Sequence, residues 1–153
     1  MRQLDVSTQC LVASPSLLTS ALSSPAELRG LPSASLPTQK REHVWSLATA
    51  NGETAEISHR PRLVTDDMTA LLNAALIGVG VAQLPTMMVW RDIDAGRLIH
   101  VLPDWRPKPG IVHAVFPSRR GLLPSVRALV DFLARECAAQ RGQAKKTVGR
   151  HET

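Results

Sequence analysis

At 153 residues the chain has room for one ordinary domain, or for a domain and part of another. Apolar residues make up 44% but aromatics only 3%, with no Tyr, so the core is expected to be aliphatic and binding by stacking on aromatic rings is poorly supported. The net charge of +5 is gathered largely at Arg106/Lys108, Arg119/Arg120 and the tail Arg141, Lys145, Lys146 and Arg150, which reads as a solvated surface followed by a disordered basic tail.

Cys10 and Cys137 stand at opposite ends without a C-x-x-C pattern, as in a reduced, cytoplasmic protein whose thiols act as small apolar residues. No stretch approaches the ~18 apolar residues of a membrane span. Asp5 and Gln9 interrupt the place where an export signal needs its apolar run.

In chain order, Cys10 to Ala13 reads as a short buried strand, and Ser14-Pro15 suits a helix start. Ser24-Pro25-Ala26-Glu27 repeats that grammar with capping-box spacing and Gly30 as a stop. "LPSASLPTQKR", Leu31 to Arg41, has loop composition. "VWSLAT" and "TAEIS" flank Asn51-Gly52, which predicts a hairpin with a type I′ turn. "RPRLV" reads as a strand leading into a helix whose apolar face is Met68, Leu71, Leu72, Ala75 and Leu76, headed by Thr65, Asp66 and Asp67 and closed by Gly78. "VGVAQL" is the next strand, and Pro85 opens a helix that runs to Gly96. Strand, helix, strand and helix in close order predict an α/β fold with a parallel layer. "RLIHVL" and "GIVHAVF" read as two further strands, and a last amphipathic helix, Pro124 to Ala138, carries Val126, Leu129, Val130, Leu133 and Cys137 on one face.

Catalytic chemistry finds little support. The five histidines are scattered, with no metal-ligand spacing; His100 and His113, on strands expected to be neighbours, are the pair best able to approach. Asp66 and Asp67 are adjacent and point in different directions, which favours capping over an acid/base dyad. There is no G-x-S-x-G and no P-loop, so no cofactor, metal site or catalytic residue is expected and an enzyme is the least favoured class. The physically stronger reading is a cleft edge: the strand ending at Val64 delivers Thr65, Asp66, Asp67 and Met68, and the strand from Val79 to Leu84 delivers Gln83, Leu84 and the Pro85 helix start beside them.

"RPRLVTDDMTALLNAALIGVGVAQLP", "GRLIHVLPDW", "IVHAVFPSRR" and "LPSVRALVDFLARE", with "CLVASPSLL" and "SPAELRG" before them, together resemble the effector-binding region of LysR-type transcriptional regulators over about Cys10 to Glu136. The resemblance implies a cytoplasmic bacterial regulator in which a winged helix-turn-helix binds DNA. A two-lobed domain similar to type 2 periplasmic binding proteins senses a small-molecule effector between its lobes. In that layout residues 1–9 are a hinge remnant, 10–116 the second lobe, 117–140 a return segment with the C-terminal helix of the first lobe, and 141–153 a disordered basic tail. The effector-facing residues carried over are Thr65, Asp66, Met68, Gln83 and Leu84, with Ser35 in the loop before the hairpin. The DNA-binding domain, linker helix and first half of the first lobe have no counterpart in the sequence, so the expectation is an N-terminally truncated chain without a recognition helix of its own. The stripe on the last helix is then expected to dock on the remaining lobe, to pair with a second copy, or to promote aggregation.

Two other classes are carried alongside. A small basic nucleic-acid-binding protein would gather Arg119, Arg120, Lys145 and Lys146 on one face and lose affinity steeply with salt. The solute-binding lobe of a transport protein would need an export signal, which Met1 to Ser14 does not supply.

Overall fold

The computed structural model describes residues 2–18, 20–114 and 123–148, with side-chain surroundings defined for all of these except 2–5, 113–114 and 140–148. Ten strands and three α-helices are described: β1 Arg2–Ser7, β2 Gln9–Ala13, β3 Ser33–Ser35, β4 His43–Ala48, β5 Thr54–His59, β6 Pro61–Val64, α1 Met68–Leu76, β7 Val81–Pro85, α2 Thr86–Asp94, β8 Ile99–Val101, β9 Arg106–Pro107, β10 Gly110–Ala114 and α3 Pro124–Val148. They form a five-stranded sheet in the order β6-β3-β7-β2-β8, a three-stranded sheet β5-β4-β9, and the antiparallel pair β1-β10.

The five-stranded sheet is parallel at β6, β3 and β7, while β2 runs antiparallel to both β7 and β8. Strand alternation divides its side chains between two cores. Cys10, Val12, Ala34, Ala82 and Leu84 join Leu71, Ala74 and Ala75 of α1 and Val89 and Ile93 of α2. On the opposite face, Leu11, Ala13 and Val81 meet Trp45, Leu47 and Ile57 of the hairpin and Leu28 of a 3-10 helix, Pro25–Leu28. Both faces are therefore covered, as a largely parallel sheet requires.

The helix α1 has the expected span. Asp67 Oδ1 accepts the N–H groups of Thr69 at 2.7 Å and Ala70 at 3.2 Å, which satisfies two donors that an uncapped helix would leave free. At the other end the Val79 N–H reaches the Ala74 carbonyl at 2.9 Å and the Gly78 N–H reaches Ala75 at 3.2 Å, with Gly78 at φ +81. This is the Schellman closure, and it turns the chain straight into β7. The Glu27 carboxylate likewise accepts the Ser24 N–H at 2.9 Å and the Ser23 N–H at 3.0 Å, so the capping box spans one turn of 3-10 helix.

Several expectations are corrected. The stretch from Leu31 to Arg41 contains β3, an interior strand, because short Ser and Ala side chains let it lie against β7. The approach is closest at Gly80, where a Cβ would come within 2.5 Å of the Ser33 backbone nitrogen. The hairpin turn is not type I′, since Gly52 has φ +89 but Asn51 is not in the positive-φ region. Gly52 N–H to Thr49 at 3.2 Å and Thr49 N–H to Glu53 at 2.9 Å describe a three-residue loop with glycine in the left-handed position. Ser14-Pro15 begins a turn, closed by the Leu17 N–H on the Ser14 carbonyl at 3.0 Å, and no helix follows because Leu17, Leu18 and Leu22 fold back onto the hairpin-side core.

The last helix runs ten residues past Ala138, to Val148, where a disordered tail was expected. The apolar stripe does end, but Gln, Arg, Ala and Lys are good helix formers and cations suit a helix C-terminus. Residues 149–153, Arg119 and Arg120 and the end of the expected strand at Val115 and Phe116 lie outside the described residues. The helix α3 packs against α2 and β1, and Val130 is its buried contact. Leu129 at 54%, Phe132 at 49% and Leu133 at 39% remain exposed, so docking covers only one edge of the stripe.

Candidate functional site

The carboxyl ends of β3, β6 and β7 lie side by side and deliver Ser35, Thr65 and Gln83 to one edge of the sheet. The antiparallel β2 brings its first residue, Gln9, to the same edge, with Gln9 opposite Pro85 and Leu11 opposite Gln83. Free polar groups collect at such an edge because the strands stop there while the chain turns away. A cavity of about 250 Å³ opens at this point, lined by Gln9, Ser35, Gln83, His43, His59 and Trp45 among others.

The hairpin supplies its far wall. His43 pairs with His59 in the β4-β5 ladder. His59 Nδ1 lies 2.8 Å from Ser33 Oγ, and His43 Nδ1 lies 3.1 Å from Ser35 Oγ. Trp45 stacks on His59 with ring centroids 3.9 Å apart and 13° between planes. Desolvation, reinforced by the nearby His43, pushes His59 from its ordinary 6.5 down to about 4, so it is neutral at pH 7. The hairpin is thus pinned to the sheet by two Ser–His contacts.

The sequence-predicted site residues separate. Ser35 and Gln83 line the cavity. Thr65 is beside them: its N–H donates to the Ser35 carbonyl at 3.1 Å, and its hydroxyl accepts the Asp67 N–H at 3.1 Å. Asp66 and Met68 are exposed at the head of α1. Leu84 is corrected, because its side chain is fully buried in the helix-side core and alternation points it away from Gln83. Gln9, His43, Trp45 and His59 were missed. The hairpin centred on Asn51 carried a usable signal, since pairing Val44 with Ser58 places His43 opposite His59.

His100 lies on β8 of the five-stranded sheet and His113 on β10, paired with β1, so the two histidines are not on neighbouring strands. Among the described residues no group of three or more His, Cys, Asp or Glu is placed to hold a metal. Cys10 is buried beside Leu84, and desolvation pushes its thiol up to about 12, which leaves it a small apolar residue. Among the described residues no helix is long and apolar enough to cross a membrane.

The family model "LysR substrate binding domain" matches residues 2–138. The chain belongs to this family. It is 33% identical over 124 residues to the HTH-type transcriptional regulator PtxR of Pseudomonas aeruginosa, covering 74% of this chain and 40% of PtxR. The full-length structure of the Vibrio cholerae virulence activator AphB, a member of the LTTR (LysR-type) family, superposes with a TM-score of 0.73 at 25% identity over 88% of this chain and 46% of AphB. The LysR-type regulator CrgA of Neisseria meningitidis gives 0.71 at 26% identity, over 88% of this chain and 46% of CrgA. The chain therefore spans less than half the length of each of these three relatives. Its mixed α/β fold is that of LysR-type regulatory domains, which are type 2 periplasmic-binding-protein-like. The antiparallel β2, wedged between parallel β7 and β8, is the strand that distinguishes this sheet from a purely parallel one.

Proposed function

We propose that this LysR substrate-binding domain senses a small-molecule effector at the edge formed by Gln9, Ser35, Thr65 and Gln83, as the ligand-reading part of a cytoplasmic bacterial transcriptional regulator. The observation that carries the reading is the convergence of Ser35 and Gln83, from two parallel strands, with Gln9 on one cavity at the carboxyl edge of the sheet. Two amides and a hydroxyl supply donors and acceptors without fixed charge, which suits a small polar or carboxylate-bearing molecule. Asp66 and Met68 form the outer rim, where the first lobe would close over the ligand. In this layout residues 10–116 are the second lobe, β1 belongs to the hinge segment of residues 1–9, and the role is sensory rather than catalytic.

DNA binding belongs, in this proposal, to a winged helix-turn-helix of the longer protein, and self-association uses the exposed Leu129, Phe132 and Leu133 face of α3. The test is an amide-resolved NMR screen of small carboxylic acids, aromatic acids and amides. A true effector shifts Gln9, Ser35, Thr65 and Gln83 saturably, and Gln83→Leu weakens it about tenfold by leaving a polar ligand group unpaired. Saturable binding confined to other surfaces, unaffected by Gln83→Leu, would sink the assignment.

A further inference from the structure

A second concavity lies at the opposite, amino-terminal ends of β3 and β6. It measures about 730 Å³ and is lined by Gly30, Leu31, Pro32, Pro61 and Ser58 together with Arg41, Glu42, His43, His59, Arg60 and Arg62. Its arginines come from two separate segments. Arg60 and Arg62 flank Pro61 at the start of edge strand β6, two residues apart and hence on one side of the strand. Arg41 stands across from them at the mouth of the hairpin. Among the described residues none of these three guanidiniums has an ion-pair or hydrogen-bond partner. Glu42 is the one carboxylate lining the concavity.

We propose that this groove binds a phosphate-type oxyanion. Guanidinium groups present planar, paired donors that match phosphate oxygens, and three around one cleft without partners leave that capacity unused. Leu31, Pro32 and Pro61 form an apolar floor, so an organic phosphate can lay its body there while its charge meets the arginines. The walls are preorganised: His59 and His43 are held by Ser33 and Ser35, and β6 is fixed by its pairing with β3. Glu42, His43 and His59 line this groove and the smaller cavity alike. The inference stands on its own lining and does not require the effector reading.

The experiment titrates the full 153-residue chain with inorganic phosphate and with phenyl phosphate, separately, at low ionic strength and pH 7.5, following backbone amides by NMR. Saturable shifts at Gly30, Leu31, Ser58 and Arg60 are expected, weakening with salt. Arg60→Gln with Arg62→Gln should lower affinity at least about tenfold. Arg41→Gln, on the other wall, should lower it several-fold, and Glu42→Gln should raise it by removing the like charge. Tighter binding of phenyl phosphate identifies an organic phosphate as the ligand; equal binding identifies the free oxyanion. Shifts that do not saturate, that survive the double substitution, or that centre on residues 141–146 of α3 overturn the groove. Unchanged amide positions in α1 and β2 of each variant establish that the fold is intact.

Discussion

The helices α1 and α3 carry equally legible amphipathic patterns and meet different fates. The stripe of α1 is buried to completion at Leu71 and Ala75, under the sheet that its own crossover helps to build. The stripe of α3 is buried at Val130 and stays largely wet at Leu129 and Leu133. Periodicity specifies which face of a helix seeks cover but not what will cover it. The helix α1 is covered by β7, which follows it directly, and by β3 and β2 from earlier in the chain, so the sheet closes over its stripe. The helix α3 depends on a surface elsewhere, of which α2 and β1 provide only an edge.

The contrast can be broken most strongly at Leu71. Leu71→Ala leaves a cavity between α1 and the sheet and should destabilise the fold by about 2–5 kcal/mol in urea unfolding, whereas Leu129→Ala on α3 should change it by no more than about 0.5 kcal/mol. Equal losses at the two sites would mean that α3 is packed as tightly as α1. A smaller effect belongs to the cap: Asp67→Ala, which frees the Thr69 and Ala70 N–H groups, should cost about 1 kcal/mol, and Asp67→Asn should recover most of it.

The smallest effect is expected at the hairpin. Folding holds His59 below its ordinary 6.5, so the unfolded chain binds its proton first. The associated stability is therefore present above pH 6.5 and lost as pH falls from 6.5 through about 4. With the ring half exposed and screened, the effect should stay below about 1 kcal/mol. His59→Gln should flatten the urea midpoint against pH in that window, while an unchanged slope would place the acid sensitivity elsewhere.

Much of the helix-side core was legible because its instructions are local. The span of α1, the Gly78 closure and the start of α2 follow from caps, glycine and a 3.6-residue stripe within one short stretch. The strand β3 was hidden, since "SASLP" has turn composition, and its place inside the sheet depends on Gly80 admitting the Ser33 backbone at close range. The sequence alone presents Gln83 and Leu84 as one rim. Adjacent residues on a strand face opposite ways, so only the placement of a core on each side of the sheet shows that Gln83 lines the cavity and Leu84 does not. The aligned basic residues Arg41, Arg60 and Arg62 were likewise invisible as a group, because they belong to different segments that meet only when the hairpin lies beside β6.

By itself, then, the sequence determined the types of the long periodic elements, the caps of α1 and of the 3-10 helix, and the family resemblance, because hydrophobic period and capping chemistry act over a few residues. The tertiary structure decided which polar side chains share a cavity, that His59 is held neutral under Trp45, and that the stripe of α3 remains half uncovered. Those outcomes depend on contacts between segments far apart in the chain, where desolvation and packing are set by whatever the fold brings alongside.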